Sequence, residues 1–137
     1  MCHKIIIQGK PISKARPRFA RRGKFVVIYN SQETEESRWL WEAKGQVDQC
    51  FKGPLYVICH FYMLRPKGHY GTGKNAGKLK ANAPEWHTKK PDVDNCIKFV
   101  LDCLNGLAWK DDCQIVAVSG QKEYSGAPRT EIIIEAL

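Results

Sequence analysis

Long apolar segments are missing from this sequence of 137 residues. No stretch approaches the roughly 20 consecutive apolar residues that a helix needs to span a bilayer. Residues 1–7, MCHKIII, are too short for the core of a signal peptide and lack a small-residue cleavage site. They predict an opening strand, and we therefore expect a cytoplasmic protein.

Closely spaced cysteine pairs are also missing. None of the six cysteines belongs to a Cys-x-x-Cys motif, and the sequence shows no secretion signal, which together predict reduced thiols rather than disulfides. The cysteines are Cys2, Cys50, Cys59, Cys96, Cys103 and Cys113. A zinc site built from distant cysteines and His3, His60, His69 or His87 remains an alternative, although the usual ligand spacing is lacking.

Acidic residues are absent from residues 1–30, which carry eight Lys and Arg. Residues 64–90 carry seven Lys and Arg against Glu85 alone, whereas residues 91–112 carry five Asp against two Lys. In a chain of net charge +8, two basic segments therefore flank an acidic one. This distribution favours a polyanion held beside a cation-binding centre. Solvated lysines on an ordinary basic surface are the alternative.

The hydrophobic pattern predicts one α+β domain over residues 1–137, with a mixed β-sheet packed against two main helices. Strands are predicted at residues 5–7, 114–122 and 130–136, with a central strand at Leu55–Leu64 that is buried on both faces. A basic arm spans about residues 14–24, within a ribbon at residues 17–29.

Two helices are predicted. Asn30 or Ser31 caps the first, which ends at Gly53-Pro54 and buries Leu40, Ala43 and Val47, with Trp39 or Trp41 adding area. The second follows Asp92 and stops at Asn105-Gly106, with Ile97, Val100, Leu101 and Leu104 on its inner face. Between the central strand and this helix lies a Gly/Lys-rich loop at about residues 65–91, which is either functional or a low-complexity linker.

Asp92 and Asp94 are the acids in the most informative segment, Lys89-Lys90-Pro91-Asp92-Val93-Asp94-Asn95. Pro91 favours a helix start after it, so both carboxylates are expected at the N-terminus of a helix, where its dipole favours negative charge. An ordinary helix cap is the alternative for an isolated Asp-x-Asp pair.

Lys98, Asp111 and Asp112 extend this acidic cluster. Lys98 lies one helical turn after Asp94, where it can form an ion pair with that carboxylate or face a phosphate. Asp111 and Asp112 follow a Trp109-Lys110 pair that looks exposed, at the far end of a helix roughly 15–20 Å long. We expect the chain to return along the strand at 114–122, so that Asp112 meets Asp94.

Carboxylate oxygens gathered in this way are hard ligands of the kind that Mg²⁺ or Mn²⁺ prefers, in a shell completed by water and substrate phosphate. Such a cation lowers the pKa of a bound water and stabilises charge on a leaving oxygen. The residues therefore suggest cleavage of a nucleic-acid backbone.

The motif resembles the RusA family of Holliday junction resolvases. The similarity is carried by Lys90-Pro91-Asp92-Val93-Asp94-Asn95, by Lys98, by Leu101-Asp102-Cys103-Leu104-Asn105-Gly106, and by Trp109-Lys110-Asp111-Asp112-Cys113-Gln114-Ile115-Val116. The opening Gly9-Lys10-Pro11 and Lys14-Ala15-Arg16-Pro17-Arg18-Phe19 resemble phage- and prophage-type members. The long loop at residues 67–90 departs from the familiar members, in which it is short.

The resemblance implies a RusA-like fold and a crossover junction endodeoxyribonuclease that acts in recombination and repair. It implies that Asp92, Asp94 and Asp112 bind the metal, that Lys98 is needed for cleavage, and that Mg²⁺ or Mn²⁺ is the cofactor. It also implies a homodimer that nicks two strands of a four-way DNA junction symmetrically. A two-fold junction cut on paired strands independently favours a two-fold dimer, through a sheet edge or the helix bearing Trp39 and Trp41.

Basic residues are expected to contact DNA phosphates: Lys14, Arg16, Arg18, Arg21, Arg22, Lys89 and Lys90. Tyr70, Trp86 or Trp109 could stack on an unpaired base, although core packing is equally compatible with Trp109. Two alternative functions remain open. One is a basic DNA-binding accessory protein without catalysis, and the other is a metal-dependent hydrolase of RNA or nucleotides.

Overall fold

The computed structural model describes residues 2–15, 18–23, 25–29 and 33–137, with the backbone alone described at 18–22, 25–29 and 33. Its elements in chain order are β1 (Cys2–Gln8), β2 (Arg18–Arg22), β3 (Phe25–Tyr29), α1 (Glu33–Lys44), β4 (Leu55–Leu64), α2 (Val93–Leu104), β5 (Ile115–Ser125) and β6 (Arg129–Ala136). A mixed sheet and two helices confirm the predicted α+β class.

The main sheet has four strands in the order β1-β6-β4-β5. β6 runs antiparallel to both β1 and β4, whereas β4 and β5 are parallel. Parallel neighbours need a long crossover connection, and here it contains α2. β1 and β5 are therefore the edge strands, and β6 lies inside the sheet.

The core lies between one face of this sheet and the two helices. Along β4 the residues alternate between buried and half-buried, with Val57 and Phe61 almost inaccessible and Tyr56 and Tyr62 partly exposed. The prediction of a strand buried on both faces was therefore wrong, because both helices cover the same side of the sheet. The strand's bounds and central position were correct.

α1 contributes Trp39 and Ala43 to the core, whereas Trp41 is 81% exposed. Leu40 and Val47 are partly buried against the same core. The helix ends at Lys44, well before the predicted stop at Gly53-Pro54. The proposed caps Asn30 and Ser31 lie outside the described residues.

α2 confirms the helix predicted after Asp92. Its buried residues are Cys96, Phe99, Val100, Cys103 and Leu104, and Ile97 and Leu101 pack partly buried at the margin. It ends before Gly106, whose φ of 84° lies in the left-handed region that favours glycine. α2 is therefore amphipathic, with an apolar face packed on the sheet and a polar face in solvent, and Asp92 precedes it.

β2 and β3 pair antiparallel as a two-stranded hairpin, which confirms the predicted ribbon. Residues 65–91 contain only two short 3₁₀ turns, Lys67–His69 and Gly73–Asn75, and isolated bridges, so the predicted loop is also present. Among the described residues, none of the helices has the length and apolarity that crossing a bilayer requires.

Candidate active site

Asp92 and Asp94 lie together at the start of α2, and both are exposed. Asp92 occupies the N-cap position but makes no side-chain capping hydrogen bond. The Oδ1 atom of Asp94 accepts a hydrogen bond from the backbone N–H of Asn95 at 2.9 Å. An ordinary capping role therefore does not account for Asp92, and both carboxylates present oxygen atoms to solvent.

Lys122 fixes the segment that leads into Asp92. Its Nζ atom donates to the carbonyl oxygens of Lys89 at 2.7 Å and Pro91 at 2.6 Å. Lys122 is paired in register with the buried Phe61, which places both residues on the helix-covered side of the sheet. Sequence reasoning missed this residue. Its only signal was a lysine inside a strand, at a position whose cross-strand partner is apolar.

Gly120 allows the start of α2 to pack closely on β5. A Cβ atom at this glycine would lie 2.7 Å from Cδ1 of Ile97 and 3.4 Å from Cγ2 of Val93. Helix and strand thus approach each other at a point where any side chain would displace Ile97. The first turn of α2 is therefore placed over the middle of β5.

Cys96 lies on the buried side of this first turn. Burial raises the pKa of its thiol to about 11, and the nearby charges of Asp92 and Asp94 act in the same direction. The neutral thiol therefore packs as a small apolar group beneath the acids.

Asp112 is held in a different place, at the turn before β5. Its Oδ1 atom accepts a hydrogen bond of 2.7 Å from Nε1 of Trp109. Trp109 is fully buried, which confirms the alternative of core packing and excludes both an exposed Trp109 and base stacking by this residue. Tyr70 and Trp86 are half-buried and exposed, respectively.

Asp111 caps the 3₁₀ turn Asp112–Gln114. Its Oδ1 atom accepts from the backbone N–H of Cys113 at 3.0 Å, and this hydrogen bond lowers the pKa of the carboxyl group. Gln114 completes the turn, because its Oε1 atom accepts from the backbone N–H of Lys110 and its Nε2 atom donates to the carbonyl of Phe51 at 3.0 Å. A local structural role thus accounts for Asp111.

The expected meeting of Asp112 with Asp94 does not occur within one chain. Asp92 precedes α2 and Asp112 follows it, so a helix of 12 residues, about 18 Å long, and residues 105–111 lie between them in the chain. The described residues contain no group of three or more His, Cys, Asp or Glu placed to hold a metal ion. Asp112 precedes β5, so the returning strand carries Gly120 and Lys122, rather than Asp112, to the start of α2.

Lys98 is exposed on α2, one turn after Asp94. No salt bridge joins it to Asp94, and the ion pairs of the described residues involve other cations. Its ammonium group therefore faces solvent on the same side of the helix as the acids.

The basic residues predicted to bind DNA fall into two groups along the chain. Lys89 and Lys90 are exposed immediately before Asp92, and Lys90 lines a groove of about 540 Å³ together with Ser13, Asp92 and Asn95. Arg18, Arg21 and Arg22 lie in β2, where only the backbone is described, and Arg16 lies outside the described residues.

Lys14 links the basic arm to α2. Its backbone N–H donates to the carbonyl of Asn95 at 3.0 Å, and its Nζ atom lies 3.3 Å from Glu36 and 3.4 Å from Asp102. Burial by itself lowers the pKa of Lys14, but Glu36 and Asp102 outweigh it and hold the pKa above its usual value. The arm therefore leaves the body of the protein beside the first turn of α2.

The cysteines do not form the alternative zinc site in the described part of the chain. Cys59, Cys96 and Cys103 are buried and Cys2, Cys50 and Cys113 are exposed, all as free thiols. No cluster of cysteine and histidine ligands is found among the described residues. Aspartate oxygens, unlike thiols, are ligands of the kind that a hard divalent cation prefers.

Comparison with known proteins gives two matches that span nearly the whole chain. The sequence profile of a family described as "Endodeoxyribonuclease RusA" matches residues 8–135. The chain is also similar to a protein of Bacillus subtilis (strain 168) described as "Uncharacterized protein YqaN". The two are 31% identical over 136 residues, which cover 97% of this chain and 95% of the relative. The matched ranges include both ends of α2.

Proposed function

Because the chain belongs to the RusA endodeoxyribonuclease family, we propose that it resolves four-way DNA junctions by hydrolysing one phosphodiester bond on each of two strands. The observation that carries the proposal is the family match over residues 8–135, within which lie Asp92, Asp94, Lys98 and Asp112. Recombination and repair are the processes that produce such junctions.

Asp92, Asp94 and Asp112 would hold Mg²⁺, with Mn²⁺ as a substitute. Since one chain does not bring all three acids together, the homodimer that the family resemblance implies would have to supply Asp112 from the second copy. The donor set suits this cation, since all its side-chain donors are hard oxygens and the first two acids are exposed without a capping role. When bound, the cation supplies an acidified water and neutralises charge at the scissile phosphate. The acids position it, and Lys98 lies where it can bind a phosphate oxygen on the same face of α2.

Lys89, Lys90 and the basic hairpin β2–β3 would hold the DNA backbone beside the acids. Asp92 and Lys90 line the same groove, which supports the proposal because a lysine suited to bind phosphate lies beside a carboxylate suited to bind a metal. The arm leaves the body at Lys14, next to Asn95, and the hairpin is therefore attached close to the same groove.

The proposal is tested with a synthetic mobile four-way junction, incubated with the protein and Mg²⁺ while nicks are mapped on all four strands. We expect paired symmetric nicks that disappear on chelation of the metal. Asp94→Asn and Asp112→Asn should abolish nicking and preserve junction binding. Asp48→Asn is the matched control, because Asp48 is an exposed aspartate away from α2.

A fully active Asp94→Asn protein would overturn the metal-site assignment. Binding without nicks under every divalent cation tried would instead indicate a non-catalytic DNA-binding protein. Equal cleavage of linear duplex, single strand and junction would indicate a general nuclease. RNA is included as a fourth substrate, and its cleavage would indicate a hydrolase that also acts on RNA.

A further inference from the structure

Residues 9–14 carry the chain from the end of β1 to the start of α2. Gly9 turns the chain out of the strand with a φ of 101°, a left-handed conformation that favours glycine, and its N–H donates to the carbonyl of Pro128 at 3.1 Å. The N–H of Lys14 donates to the carbonyl of Asn95 at 3.0 Å. The segment between these two hydrogen bonds therefore crosses the surface in a course that is fixed at both ends.

Three surface depressions meet at Pro91, beside this segment. The first, of about 540 Å³, contains Asp92. The second, of about 580 Å³, is lined by Lys10 and Arg38, and the third, of about 350 Å³, is lined by Lys10 and Arg65. Because Pro91 lines all three, they adjoin one another and form one branched surface groove, which we call the Pro91 groove.

Positive side chains line every branch of the Pro91 groove. The charged residues of the groove are the cations Lys10, Arg38, Arg65 and Lys90 and the acids Glu35 and Asp92. The guanidinium of Arg65 is already engaged, since it donates to the carbonyl of Pro84 at 2.7 Å and lies 5.4 Å from the ring of Tyr124. The branch lined by Lys10 and Arg38 therefore offers the better binding site for an anion that comes from outside the protein.

Lys10 and Arg38 are both exposed, and neither takes part in an ion pair within the part of the chain that the structure describes. The guanidinium of Arg38 lies against the turn at Gly9, with its nitrogens 3.7 and 3.9 Å from the position that a Cβ atom would take there. Glu35 lines the same branch but pairs with neither cation. The branch therefore holds two cations against one acid.

The phosphates of a DNA strand suit this branch chemically. A guanidinium binds a phosphate through two parallel N–H bonds, whereas an ammonium group binds it as a compact charge. Asp92 lies in the adjoining branch, on the other side of Pro91. A strand whose scissile phosphate lies at Asp92 can therefore continue past Pro91 and bring its next phosphates to Lys10 and Arg38.

We propose that Lys10 and Arg38 bind phosphates next to the scissile one, on the strand that is cut. This inference rests on the proposed function, because it assumes that hydrolysis takes place at Asp92. Neither residue touches the reacting phosphate, so both are positioning residues. Binding the strand at neighbouring phosphates holds the scissile bond in place, and it thereby reduces the entropic part of the barrier to hydrolysis.

Uncharged phosphates in the DNA test this assignment. Four-way junctions are made in a series in which one methylphosphonate, a neutral analogue, replaces a single phosphate near the crossover. Their binding is measured by fluorescence anisotropy in EDTA, so that no strand is cut. For wild-type protein we expect the affinity to fall about tenfold at each phosphate that a cationic side chain contacts, because a charge-assisted hydrogen bond is lost there.

A protein carrying both Lys10→Ala and Arg38→Ala should bind every junction more weakly. At one or two of the sensitive phosphates it should show no further loss of affinity, because the cations that contacted those phosphates are gone. Lys44→Ala combined with Lys52→Ala is the matched control, since it removes two exposed cations that do not line the groove. This control should keep the tenfold loss at all of the sensitive phosphates.

Nicking of the unmodified junction in Mg²⁺ then locates the cut, and the phosphates assigned to Lys10 and Arg38 should lie on the nicked strands within a few nucleotides of it. The inference would be overturned if every sensitive phosphate stayed sensitive in the double variant, or if the assigned phosphates lay on uncut strands. Failure of the proposed function has a different result. Wild-type protein then does not nick junctions, whereas the phosphate contacts of Lys10 and Arg38 are still measured in EDTA.

Discussion

The carboxylate of Asp112 has both a structural bond and a proposed chemical role. One oxygen accepts from the indole N–H of the fully buried Trp109. Among the described residues no hydrogen bond to the other oxygen is found, so we propose that this oxygen binds the cation. The two roles of this side chain can be separated experimentally, because asparagine keeps a hydrogen-bond acceptor and loses the negative charge.

We therefore expect Asp112→Asn to lose nicking while its free energy of unfolding stays close to wild type. Asp112→Ala should lose nicking as well and also leave the Trp109 N–H unpaired, at a cost of about 1–3 kcal/mol. Urea unfolding measures the stability, and junction nicking measures activity. Equal destabilisation by the two substitutions would show that the indole bond does not support the turn.

At the scale of elements, β5 helps to position Asp112 at one of its ends and Asp92 near the other. Its first residues follow the turn that holds Asp112, and Lys122 near its end fixes the carbonyls before Asp92. Lys122 touches no reacting atom in this arrangement and is a positioning residue. Its removal should loosen the segment that enters α2.

For Lys122→Met we expect the Mg²⁺ concentration for half-maximal nicking to rise about tenfold, as is typical when a group supporting a metal ligand is removed. Lys44→Met is the control, since it removes the same charge from the exposed end of α1. A fall in maximal rate with unchanged Mg²⁺ dependence, in Lys122→Met alone, would contradict the positioning role.

The sequence predicted α2 well because its apolar residues repeat with helical spacing and glycine follows its end. It predicted Asp92 and Asp94 at the helix start for the same local reasons. It left open whether Trp109 is buried and did not predict that Lys122 reaches Pro91, because both depend on contacts between distant segments. The expected convergence of Asp112 was wrong within one chain, since the direction of β5 carries later residues to the start of α2.

At the scale of the whole molecule, positive charge is concentrated in residues 1–30 and 64–90, within a net charge of +8. Each lysine or arginine that neutralises a phosphate releases counterions, which makes binding weaker as salt rises. The slope of log affinity against log salt therefore reports how many phosphates these residues neutralise.

Replacing Arg21, Arg22, Lys89 and Lys90 together by alanine should flatten that slope by about 0.9 unit for each phosphate that is no longer neutralised, and should weaken binding to all DNA sequences alike. Fluorescence anisotropy over a range of salt concentrations measures it. Lys44→Ala combined with Lys52→Ala removes charge outside the proposed interface and should leave the slope unchanged. An unchanged slope in the fourfold variant would show that those four side chains are merely solvated.

The contacts that hold the two ends of the 65–91 loop together determine how the length of this loop can vary. Arg65 bonds to the carbonyl of Pro84, and its guanidinium lies 5.4 Å from the ring of Tyr124, against which His69 and His87 also pack. The two ends of the loop are thus clasped side by side at the end of the sheet. The segment between these two ends can be lengthened by insertion or shortened by deletion, because the contacts at the ends still hold Pro91 and α2 in place.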